Sequence, residues 1–270
     1  MLKQRIITAL ILIPITLALL YFLSPGWIGL LLGLLTLGAA WEWSNLAEIK
    51  KTGWRLLYLI VIALLLIDTL FVPAPLIFMI AFLWWLFASV LVIFYPRGSY
   101  WWNKSGFLRC VMGVFVMVPC WRAVYYIRSQ SDGFFALLFL FVLIWGADSA
   151  AYFVGRACGK HKLAPLVSPG KSWEGLVGAL IFSALIALLA SWSDQIPLHV
   201  VPWVIALALV TVLFSVMGDL FESMLKRQAG LKDSGTILPG HGGLLDRIDS
   251  LTAAAPVFAF FAWVLGQYFG

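Results

Sequence analysis

Nine apolar stretches, each close to the length of a bilayer-spanning helix, take up most of this 270-residue chain. They run about 6–23, 28–43, 55–72, 75–95, 107–127, 134–154, 174–192, 201–222 and 251–269, and a helix needs about 20 such residues to cross the hydrocarbon core. In lipid the backbone must satisfy its own hydrogen bonds, which leaves helices or a closed barrel. The period-two alternation of barrel strands is absent. The chain therefore reads as all-α, a polytopic helical membrane protein with about nine transmembrane helices. Only 11% of its residues are charged, against about 25% in soluble domains. No repeat, no mirror-related halves of the kind many transporters carry and no composition shift are visible. One continuous membrane domain is expected, with N-terminal helices over 1–130 and C-terminal helices carrying a polar site over 131–270.

Two segments are atypical. The first resembles a signal peptide, with Lys3 and Arg5 before an apolar run, but it lacks a small-x-small cleavage site and reads as a retained helix. The fifth is interrupted by Gly113 and Pro119. Cys110, Cys120 and Cys158 have no ligand spacing and read as packing residues.

Lys and Arg set the orientation. On this layout Lys3, Arg5, Lys50, Lys51, Arg55, Arg97, Lys104, Arg109, Arg156, Lys160, Lys162, Lys171, Lys226, Arg227, Lys232 and Arg247 share one side. Only Arg122 and Arg128 of the 18 fall on the other. The amino terminus and the charged loops are thus expected in the cytoplasm, and Gly270 outside. The net charge of +6 reflects this asymmetry plus a phosphate site, and does not argue for nucleic acid. Trp27, Trp41, Trp43, Trp54, Trp101, Trp102 and Trp203 lie near helix ends and read as interfacial anchors.

The acids gather late in the chain. Seven of twelve lie in or beside the last two cytoplasmic loops: Asp148, Glu174, Asp219, Glu222, Asp233, Asp246 and Asp249. Asp219, Glu222, Ser223, Lys226 and Arg227 follow at helical steps and share a face if the eighth helix continues through them. Asp219 ends a long apolar run, where a carboxylate needs a partner. A Lys or Arg from a neighbouring helix or a divalent metal would serve. Asp246 and Asp249 flank Arg247 before the ninth segment. Acids favour a helix start, which accounts for one of them better than for both. Around His241, Gly240, Gly242 and Gly243 can expose N–H groups to an anion, although a flexible turn would look the same, and His241 reads equally as a phosphate or metal contact or a solvated loop residue.

A second constellation lies upstream, where Asp148 precedes a loop ending in Ser168-Pro-Gly-Lys-Ser-Trp-Glu-Gly175. Lys171 and Ser172 sit at the mouth of the seventh helix, a favourable place for phosphate. The PGKS string is not a P-loop, since Pro stands at 165 where Gly is required and no strand precedes it.

The run Ser223-x-Leu225-Lys226-Arg227-x4-Lys232-Asp233-x-Gly235-x3-Pro239-x-His241-Gly242-Gly243-x2-Asp246-Arg247-x-Asp249 resembles the signature of the phosphatidate cytidylyltransferase (CDP-diacylglycerol synthase) family. Gly218-Asp219-Leu220-x-Glu222-Ser223, Asp148-Ser149-x-Ala151-Tyr152 and the SPGKSWEG segment are similar to it too. The resemblance is strong over Asp148–Pro256 and weak in the first half. It implies condensation of CTP with phosphatidic acid to CDP-diacylglycerol and pyrophosphate, with Mg²⁺, in the cytoplasmic (inner) membrane. Asp219 and Asp246 would be metal ligands, with Asp148, Glu222 and Asp249 as further candidates. Asp219, Asp246, Lys226, Arg227 and Asp249 would form the catalytic set. Lys171, Ser172, Ser223, Lys232, His241 and Arg247 would bind substrate. The implied partners are CTP, phosphatidic acid and the bilayer; a homodimer is allowed by the sequence and not fixed by it. Two rivals stand beside this reading. A CTP-dependent lipid kinase would release CDP. A transporter would string polar residues through mid-membrane helices, whereas here they gather on one side.

Overall fold

The computed structural model describes residues 14–103, 105–193, 196–235 and 242–269. A helical stretch over 14–22 precedes α1 (Pro25–Leu46), α2 (Thr52–Asp68), α3 (Ala74–Ile93), the single turn α4 (Tyr100–Asn103), α5 (Gly106–Arg128) and α6 (Gly133–Cys158). A hairpin of β1 (Lys162–Ala164) and β2 (Ser168–Ser172) leads into α7 (Trp173–Ser193), then α8 (Val201–Gln228) and α9 (Leu245–Phe269). Seven of these helices, α1, α3 and α5 to α9, are long and apolar enough to cross a membrane, and α2 has 17 residues. The chain is thus a multi-pass helical membrane protein. The first part of the segment over 6–23 lies outside the described residues.

α9 is the hub. It packs on α8, α5 and α3, while α6, α7 and α8 form a consecutive series. Small residues allow this. Ala253, Ala254 and Ala255 are fully buried, and in lipid close backbone approach drives helix association in place of the hydrophobic effect. Outward residues such as Leu64, Phe87, Leu189 and Trp192 are exposed, as a lipid-facing surface requires.

Three local expectations need amendment. α5 runs unbroken through Pro119, and Gly113 serves packing, because a Cβ there would overlap Tyr58 and the Trp43 indole. Trp43 and Trp102 are buried rather than interfacial. Trp43 Nε1 donates to the Arg109 carbonyl at 2.8 Å, and Trp102 Nε1 to Gln228 Oε1 at 3.0 Å. The loop after α6 also contains the small antiparallel hairpin, pairing Lys162 with Ser172.

Arg122 and Arg128 stand at the end of the bundle away from the charged loops. Arg122 Nε donates to the Thr69 carbonyl at 3.1 Å, and Arg128 Nε to that of Leu20 at 2.9 Å. Both therefore act as clamps on backbone ends. The opposite end collects the end of α1, the hairpin, the end of α8 and the start of α9.

Candidate active site

α8 continues to Gln228, so Asp219 lies about 13 Å inside its end at 1.5 Å per residue. The helix repeat pairs its polar residues. Ser223 Oγ donates to Asp219 Oδ1 at 3.1 Å, and Lys226 Nζ is 3.1 Å from Glu222 Oε1.

The α8–α9 crossing packs the Gly218 backbone against that of Asp249. A Cβ on Gly218 would stand 2.6 Å from the Asp249 carbonyl oxygen and 3.1 Å from Ala253 Cβ. Only glycine lets the backbones approach so closely. Asp249 is within electrostatic reach of Asp219, Lys226 and Lys171. Gly218→Ala should push the helices apart, costing about 1–3 kcal/mol of stability and lowering activity. Thermal unfolding of the purified protein alongside turnover checks this, and a variant matching wild type in both would show that the crossing has slack.

Asp246 is heavily engaged. Its Oδ2 accepts from Ser234 N at 2.9 Å and Gly243 N at 2.8 Å, and lies 3.0 Å from Ser234 Oγ. Its Oδ1 accepts from Lys226 Nζ at 2.6 Å. Lys226, with a side chain only 10% exposed, thus spans Asp246 and Glu222. It neutralises buried carboxylates and does not reach out to a free anion.

The hairpin delivers a further cation, its ammonium covered by the cluster. Lys171 Nζ lies 2.6 Å from Asp219 Oδ2, both side chains about one-quarter exposed. Asp148, exposed on α6, is in electrostatic reach of Lys171 and Asp219. Arg227 is exposed, its Nε 3.4 Å from the Val167 carbonyl of the hairpin turn. Ser172 is buried and caps α7, its Oγ accepting from Gly175 N at 3.2 Å. Glu174 accepts from His161 N at 3.2 Å and tethers the hairpin to α7. Lys232 and Arg247 are exposed around the site. His241 lies outside the described residues.

Two residues that sequence reasoning missed join the cluster, Ser234 and Glu42. Glu42, on α1, accepts at Oε2 from Leu245 N at 2.8 Å, and the same oxygen lies 3.2 Å from Ser234 Oγ, whose single hydroxyl hydrogen is shared between Glu42 and Asp246. A lone acid within an apolar span is the signal that could have found it.

No three His, Cys, Asp or Glu side chains among the described residues converge as a ready metal cage. Mg²⁺ does not require one, since it is held by one or two carboxylates together with water and substrate phosphates. The donors here are oxygen-only. Asp219 is in electrostatic reach of Asp249, Glu222 is in reach of Asp249 and Asp246, and the set fits a hard divalent cation.

Residues 3–265 match the sequence model of the cytidylyltransferase family. A phosphatidate cytidylyltransferase of Pseudomonas aeruginosa is 42% identical over 272 residues, covering 98% of both chains. One from Haemophilus influenzae is 38% identical over 283 residues, covering 97% of this chain and 98% of its own. One from Brucella suis is 36% identical over 281 residues, covering 98% and 95%.

Proposed function

Because the chain belongs to the cytidylyltransferase family, and so is a membrane nucleotidyltransferase, we propose that the α8–α9 crossing is where it joins CTP to phosphatidate, giving CDP-diacylglycerol and pyrophosphate for phospholipid synthesis. The observation that carries this is the cluster itself. Asp219, Asp249, Glu222 and Asp246, with Lys171 and Lys226, gather at one end of an otherwise apolar bundle. The lipid cannot leave the bilayer and the nucleotide cannot enter it, so a joint site must lie at such an end.

An oxygen of the lipid phosphate attacks the α-phosphorus of CTP, the bond to the β-phosphate oxygen breaks, and pyrophosphate leaves. The phosphate monoester is already anionic near neutral pH, so no strong general base is needed. Repulsion between two polyanions is the obstacle, and positioning with charge neutralisation is the remedy. Arg227 is exposed, while the Lys171 ammonium is covered against Asp219 at the edge of the cluster; both are assigned to phosphate oxygens. Lys226 keeps Asp246 and Glu222 neutralised and in place. Ser223 holds Asp219. Mg²⁺, held by Asp219 and Asp249, would neutralise the triphosphate. Asp148 is a further support for it. Asp246 is assigned to loop architecture, since Lys226 Nζ and the Ser234 and Gly243 N–H groups already occupy its oxygens.

Purified protein given phosphatidate, Mg²⁺ and CTP labelled at the α-phosphorus should place the label in lipid and release unlabelled pyrophosphate in equal amount. Release of labelled CDP with a newly phosphorylated lipid would mark a kinase and overturn the assignment.

The sixteen-to-two division of Lys and Arg supports a cytoplasmic amino terminus in a bacterial inner membrane, with the site on the cytoplasmic side. Reporters fused after Ser131, Gly230 and Gly270 are expected to read outside, inside and outside. An inside signal at Gly270 would break this topology.

A further inference from the structure

Glu42 is 1% exposed and lies on α1, far in sequence from α8 and α9. It sits on a stripe of α1 with Gly38 and Asn45, at helical steps of four and three. The whole stripe meets the two flanks of the segment between α8 and α9. Gly38 stands against Leu244, and Asn45 Nδ2 is 3.4 Å from the Ser234 carbonyl. A Cβ on Gly235 or Gly243 would overlap the Glu42 carboxyl group. Glu42 Oε2 bridges the flanks, lying 3.2 Å from Ser234 Oγ on one, whose hydrogen it shares with Asp246, and accepting from Leu245 N on the other. Its Oε1 has no hydrogen-bond partner among the described residues. A carboxyl group buried with one oxygen unpaired is a costly way to stabilise a fold.

From Glu42 the polar contacts run on without a break. Ser234 Oγ lies 3.0 Å from Asp246 Oδ2, Asp246 Oδ1 lies 2.6 Å from Lys226 Nζ, and Lys226 Nζ lies 3.1 Å from Glu222 Oε1. We propose that Glu42 is a positioning residue for cytidylyl transfer, fixing Ser234 and the first turn of α9 so that Asp246 and Lys226 are held in register with the Asp219–Asp249 crossing. The inference rests on that crossing being the transfer centre. It adds that α1, remote in sequence by 192 residues from Ser234, is part of the machinery.

The test uses the full chain in detergent or nanodiscs. Glu42→Ala should lower kcat by roughly 100-fold, the scale of a small misplacement of reacting groups, with KM for both substrates within about threefold. Glu42→Gln keeps an acceptor at the Oε2 position and should recover activity to within about fivefold of wild type. Because Glu42 acts in part through Ser234, adding Ser234→Ala to Glu42→Ala should cost clearly less than the product of the two single losses, whereas independent sites would multiply their losses. A Glu42→Ala enzyme within threefold of wild type, a Glu42→Gln enzyme as poor as the alanine variant, or multiplicative losses would each overturn the proposal. If Glu42→Ala does not accumulate in membranes, Ser234→Ala and Glu42→Gln decide. A loss of about tenfold or more in the first with near-normal activity in the second supports the proposal, and any other pattern overturns it. A wild-type protein that makes no CDP-diacylglycerol would sink the functional reading itself, while an active wild type indifferent to all these changes sinks only the role of Glu42.

Discussion

Lys226→Met is expected to abolish cytidylyl transfer and destabilise the protein at once. The ammonium is nearly buried and lies between Asp246 at 2.6 Å and Glu222 at 3.1 Å. Removing it leaves two carboxylates facing each other with no cation between them. Breaking a buried pair in this way costs about 3–5 kcal/mol, and the same change releases Asp246 from its one cationic donor. Thermal unfolding of the purified variant should show the loss of stability, and turnover should fall below detection. Adding Glu222→Gln to Lys226→Met should restore part of the stability, because one stranded charge is gone, but not the activity. Arg227→Ala should behave differently. Its side chain is exposed, so stability should hold while the KM for CTP rises by an amount equivalent to about 1–3 kcal/mol, the range for a charge-assisted bond. If both variants kept wild-type kinetics, the two cations would be ordinary interfacial anchors.

Asp219→Asn should be the most damaging change that leaves the fold intact. Asparagine preserves the shape and the Ser223 contact but removes the charge facing Lys171 and in electrostatic reach of Asp249. Loss of a metal-binding carboxylate removes several kcal/mol of charge stabilisation in the transition state, about a thousandfold or more in rate at 1.36 kcal/mol per tenfold. The Mg²⁺ concentration needed for residual activity should rise. Membrane insertion should be retained, with a loss of thermal stability smaller than that of Lys226→Met, since both side chains of the Lys171–Asp219 pair are about one-quarter exposed. An Asp219→Asn enzyme with normal turnover and normal Mg²⁺ dependence would remove Asp219 from the centre.

The parts legible in the sequence were those with local causes. Apolar length gave the spans, and the helical repeat placed Asp219 with Ser223 and Glu222 with Lys226, both of which pair along α8. Lys171 was singled out from its place before α7, but its partner, Asp219, is 48 positions away, and only the packing of the hairpin against α8 joins them. Asp246 and Asp249 look equivalent in the Asp-Arg-Ile-Asp run. The fold separates them, because α9 begins at Leu245 and turns Asp246 back onto Ser234 and Gly243, while Gly218 lets the Asp249 backbone pack against α8. Glu42 was overlooked because its contacts span 192 and 203 residues, and nothing beside it in the chain hints at a partner. Trp43 was misjudged for the related reason that nearness to a helix end does not reveal which face is covered.

Binding of Mn²⁺·CTP, followed by electron paramagnetic resonance on purified wild type, Asp219→Asn, Asp249→Asn and Asp246→Asn, tests most directly whether the α8–α9 crossing takes the metal-bound nucleotide. Wild type should immobilise the ion only when CTP is present. Asp219→Asn and Asp249→Asn should weaken that signal by tenfold or more, roughly the effect of losing one ligand of a metal site, while Asp246→Asn should lose turnover with a smaller change in binding. Undiminished binding in both Asp219→Asn and Asp249→Asn would contradict the assignment and move the nucleotide elsewhere.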